Sequence, residues 1–118
     1  IFAAEFYFER NMYEDVSKHL YDISIMIKDD DIKKMLKNKQ ELNKLISYKR
    51  KEEESRLGGI ASNKEIKDFN YMNLKFNDEL INAFNKMQRI YVLDDESMIT
   101  IDEVKNTIKI LFEIFKDL

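Results

Sequence analysis

Nucleophilic catalysis needs a reactive side chain held against a base. This sequence has one histidine, His19, and no cysteine. Thiolate chemistry, disulfides and Cys-ligated zinc are therefore out of reach. His19 lies one residue off the apolar stripe Val16–Leu20–Ile23, so it reads as a partly exposed surface group. No serine sits in a Gly-flanked elbow. Gly58-Gly59-Ile60-Ala61-Ser62 precedes a predicted helix, but it lacks the further glycine and the lysine of a phosphate-binding loop. Asp29-Asp30-Asp31 would point in three directions on a helix, so it reads as a cap and a solvated turn. These residues assign no catalytic group, no cofactor and no metal ligand, and the expectation is a protein that is not an enzyme.

One polar stretch carries a further possibility. Asp94-Asp95-Glu96-Ser97-Met98-Ile99-Thr100-Ile101-Asp102-Glu103, between two predicted helices, resembles the end of an EF-hand calcium loop. In that family the eighth loop residue is apolar and the twelfth is a bidentate Glu; Ile99 and Glu103 fill those slots. The resemblance implies a loop over 92–103 with Asp94 and Glu96 as further ligands. Val92 stands where the family places its first Asp, and Ser97 where it places Gly. The plain reading is a polar loop leading into a capped helix, with a divergent calcium-binding domain as the alternative. Ala4, Tyr7, Asn11, Tyr13, Val16 and Leu20 also resemble part of one tetratricopeptide repeat. No second copy follows, so no solenoid is expected.

The elements that must position these residues are helices. The chain has 118 residues, no proline and two glycines, so the strongest helix breakers are nearly missing. Steps of three and four place Tyr13, Val16, Leu20, Ile23 and Ile27 on one stripe. An Asp of the 29–31 run is placed to cap a helix carrying Ile32, Met35, Leu36, Leu42, Leu45 and Ile46. That helix turns wholly charged past Tyr48, and its last turns are expected in water. Ser62-Asn63-Lys64-Glu65 reads as a capping box before a helix with Ile66, Phe69, Met72 and Phe76 buried. Asn77-Asp78 marks a cap or kink, and Leu80, Ile81, Phe84, Met87 and Tyr91 continue the pattern. Thr100-Ile101-Asp102-Glu103 is a second capping box, opening a helix with Ile101, Val104, Ile108, Leu111, Phe115 and Leu118. The sequence thus predicts an all-α fold, a small bundle of four to six amphipathic helices with short loops. It reads as one domain over 1–118, with halves 1–57 and 60–118 parted by Gly58-Gly59.

Composition narrows the function. Hydrophobic residues make up 44% and charged residues 36%, with a net charge of −3. No basic face is large enough to neutralise many phosphates, so nucleic-acid binding is not expected. No apolar run reaches the ~20 residues of a membrane span. The absence of cysteine and of a visible signal points to the cytoplasm. The chain begins Ile1-Phe2 without Met, which suits a processed form or a fragment of a larger helical protein.

What remains is surplus apolar surface. Ile110, Phe112 and Ile114 lie off the main stripe of the last helix, where an outer helix normally stays polar. Phe6 and Phe8 add aromatics at the other end of the chain. The expectation is a non-enzymatic protein–protein interaction or regulatory domain. Its partner is another protein or a second copy of itself, held through Ile110, Phe112, Ile114, Phe6 and Phe8.

Overall fold

The computed structural model describes residues 2–57 and 64–118. Among them are six α-helices: α1 Phe2–Glu9, α2 Tyr13–Met26, α3 Asp30–Lys37, α4 Lys39–Leu57, α5 Asp78–Tyr91 and α6 Ile101–Phe115. Two short 3₁₀ turns, Ile66–Asp68 and Asp95–Ser97, lie between the later helices. The all-α bundle is the fold. Gly58-Gly59 and Ser62 fall outside the described residues.

Several helix boundaries follow from local chemistry. Asn11 ends α1 in the left-handed region, φ 57°, a conformation Asn tolerates better than most residues. The Asp29 carboxylate accepts from the backbone N–H groups of Asp31 and Ile32 and starts α3. Asn77 accepts from Leu80 N and starts α5. Thr100 accepts from Glu103 N and starts α6. Each cap satisfies donors that the first helical turn leaves orphaned.

Packing centres on α2, which contacts α1, α5 and α6. Val16, Leu20, Phe69, Tyr71, Phe84 and Ile108 form the middle of a single core drawn from both halves of the chain. α2 also buries Ser17 and Ser24; their hydroxyls donate to the carbonyls of Tyr13 and Leu20 at 2.6 and 2.8 Å, so neither is left unsatisfied.

Four local expectations are corrected. The helix foreseen through Ile32–Ile46 breaks at Asn38, whose extended backbone ends α3 while its side chain accepts from Glu41 N at the start of α4. No α-helix forms over 66–76. Leu74 takes a left-handed backbone, φ 57°, and the Asn70 N–H bonds the Glu5 carboxylate instead of a carbonyl four residues back. The charged end of α4 does not simply protrude: Glu53 is buried, and the Arg50 guanidinium lies 5.2 Å from the Phe2 ring centroid and donates to Lys64 O at 2.6 Å. Tyr91 leaves the buried stripe at the end of α5 and is exposed.

Two polar clasps hold the irregular parts. Glu5 is fully buried on α1. Its carboxylate accepts from Asn70 N at 2.9 Å, Asn70 Nδ2 at 3.1 Å and Lys64 Nζ at 2.9 Å. Lys64 Nζ also pairs with Glu9. Burial works to lower the Lys64 pKa, but the bonds to Glu9 and Glu5 outweigh it and the net shift is upward. Gln88 on α5 clasps the segment before α6: its Oε1 accepts from Ile99 N and its Nε2 donates to Ile99 O, both at 2.7 Å. These two hydrogen bonds tie Ile99, just ahead of the Thr100 cap of α6, to α5.

Candidate functional site

α3, parted from α4 by the break at Asn38, faces α6 across a gap. The gap is a groove of about 640 Å³. Its other wall is α6 from Glu103 to Ile114, roughly 16 Å at 1.5 Å per residue, continued by Asp117 in the turn that follows. α6 therefore has two working faces. Val104, Ile108, Leu111 and Phe115 enter the core. Glu103, Thr107, Ile110 and Ile114, again three or four apart, line the groove, joined by Asp117 just past the helix end.

The groove is apolar in its middle and charged at its edges. Ile27, Leu36, Ile110 and Ile114 supply the apolar lining. Ile110 is 52% exposed. The charges are segregated by wall. Lys28, Lys33, Lys37 and Lys39 stand on the α3 side, and Glu103, Glu113 and Asp117 on the α6 side. Glu113 pairs with Lys116 of its own helix at 2.6 Å. Among the described residues no ion pair joins the two walls.

Of the residues singled out from sequence, Ile110 and Ile114 come together in this groove. Phe112 does not join them. It lies half-buried in a separate hollow with Met72, Leu74 and Lys109. Phe6 and Phe8 are also elsewhere. Phe6 packs edge-on to Tyr7 at 5.4 Å with the Arg10 guanidinium 3.6 Å from its ring centroid, and Phe8 packs edge-on to Tyr13 at 6.2 Å. The lysine wall escaped sequence reasoning because its residues look like an ordinary solvated face until α6 is placed opposite. Leu93, 99% exposed beside Ile90 and Tyr91, escaped it too.

Within the 92–103 stretch Asp95–Ser97 forms a 3₁₀ turn, the Asp94 carboxylate accepting from Glu96 N at 3.1 Å, and residues from Ile101 on belong to α6. Glu103 lies on α6 and faces the groove. Among the described residues no three acidic or histidine side chains gather as a metal site would require.

A second cavity, about 320 Å³, has His19 and Glu53 on an otherwise mostly apolar lining with Lys49. The His19 ring stacks on Tyr7 at 5.7 Å. Burial lowers the His19 pKa below its ordinary 6.5, against the upward pull of Asp22, Asp15 and Glu53. The imidazole is therefore neutral at neutral pH. Among the described residues no helix is long and apolar enough to cross a membrane. No protein-family model, curated protein or solved structure matches this chain.

Proposed function

We propose that the chain is a non-enzymatic protein-interaction domain and that the α3/α6 groove is its binding surface. The observation that carries this is Ile110, half exposed at the centre of an elongated apolar groove with charged edges. Interfaces bury an apolar middle inside a polar rim, the same layout as this groove, where Ile27, Leu36, Ile110 and Ile114 lie between the charged walls. The two hydroxyls of the lining, Ser24 and Thr107, have no histidine beside them in the groove, and that of Ser24 donates to Leu20 O at 2.8 Å, which favours binding over catalysis. An intracellular setting accords with the lack of cysteine.

Selection from a library of displayed helical peptides tests the reading. Binders are expected on the parent chain and not on Ile110→Asp, with their contacts mapped to the methyl resonances of Ile27, Ile110 and Ile114. Binders that ignore Ile110→Asp, or shift only resonances distant from the groove, would refute it.

A further inference from the structure

A groove with one basic and one acidic wall is demanding about what covers it. Acids must come over α3 and bases over α6, with apolar side chains between. Taking the groove as a binding surface, as proposed above, we infer that it is covered by a second copy of the same chain, turned about a two-fold axis running along the groove. The rotation lays the α6 wall of each copy, with Glu103, Glu113 and Asp117, over the α3 wall of the other, with Lys28, Lys33, Lys37 and Lys39. Both charge contacts form at once, as an isologous interface requires. A two-fold lying across the groove would set lysines against lysines and acids against acids. The charges therefore select one axis.

The apolar part fits the same arrangement. Each copy brings Ile27, Leu36, Ile110 and Ile114 to a shared centre. Two α3 and two α6 helices then stand at the corners of a square, with opposite charges along every edge and like charges only on the diagonals. This is the layout of a four-helix bundle with an apolar core and charged seams.

The test is the mass of the 118-residue chain by sedimentation and light scattering, from about 1 μM to about 1 mM, a span that covers weak and moderate affinities. The parent is expected to pass from 14.2 kDa to twice that mass as concentration rises, and to weaken with added salt. Lys33→Glu with Lys37→Glu puts acid against acid. Glu113→Lys with Asp117→Lys puts base against base. Each double variant is expected to dimerise at least about tenfold more weakly than the parent, since every reversal acts twice by symmetry. Mixed in equal amounts, the two variants restore both charge contacts and are expected to form a one-to-one dimer. All four substituted residues are exposed, and circular dichroism checks that each variant folds.

A parent that stays monomeric throughout overturns the inference. So does a parent dimer that ignores the reversals, or a mixture of the two variants that fails to recover. Peptides that bind the groove of a strictly monomeric chain would leave the proposed function standing and remove only the second copy as occupant.

Discussion

Gln88 holds α6, and with it one wall of the groove, through two hydrogen bonds to Ile99. Replacing it by Leu keeps much of the volume and removes both. Gln88 and Ile99 are each about 95% buried, so Ile99 N–H and C=O would lose their partners without gaining water. An unsatisfied buried donor or acceptor costs about 1–3 kcal/mol, and part of the loss is offset by the added apolar surface. A net destabilisation of about 3 kcal/mol follows. With an unfolding entropy near 2.1 cal/mol/K per residue, the 118-residue chain would lose about 12 °C in Tm. Gln88→Glu is the sharper companion. Its carboxylate still accepts from Ile99 N but meets Ile99 O acceptor to acceptor. Protonation restores a donor there, so the folded pKa is raised above the unfolded value of about 4.3. The penalty is then absent below that value, grows as pH rises towards the folded pKa, and is complete above it. Urea denaturation of parent and both variants between pH 4 and pH 8 measures this. If Gln88→Leu falls within about 0.5 kcal/mol of the parent, the size of an ordinary surface change, the clasp does not hold α6.

Two further perturbations probe the other buried polar groups. Glu5→Gln weakens a fully buried acceptor that binds Lys64 and Asn70, and should cost about 1–2 kcal/mol, less than a wholly buried pair because Lys64 is 34% exposed and keeps Glu9. Adding Lys64→Met should cost less than the sum of the two single changes, and strict additivity in chemical denaturation would contradict the pairing. His19 has its folded pKa below the unfolded 6.5, so the unfolded chain takes up a proton first as pH falls. Stability should therefore decline from about pH 6.5 down to the folded pKa, and His19→Gln should remove that part of the slope in urea titrations. Parallel slopes for the two proteins would count against a desolvated imidazole.

The helical class, the caps at Asp29, Asn77 and Thr100, and the core faces of α2 and α6 were legible in the sequence. They depend on spacing and on side chains acting within a few residues of themselves. The same locality misled over 66–76, where a helical spacing of apolar residues lost to tertiary demands. Glu5, some 65 positions away, takes the Asn70 N–H, and Leu74 turns into the left-handed region. Glu53 looked solvated because nothing nearby in the chain shows that its turn of α4 meets buried surface. For the groove, sequence supplied Ile110 and Ile114 as apolar residues without a place in the core stripe. It could not separate them from Phe112, which the 69–76 segment partly covers, or pair them with lysines from α3. A stripe is a property of one helix and is written in its residue spacing. A groove belongs to two helices, and its walls and charges exist only once packing sets them side by side.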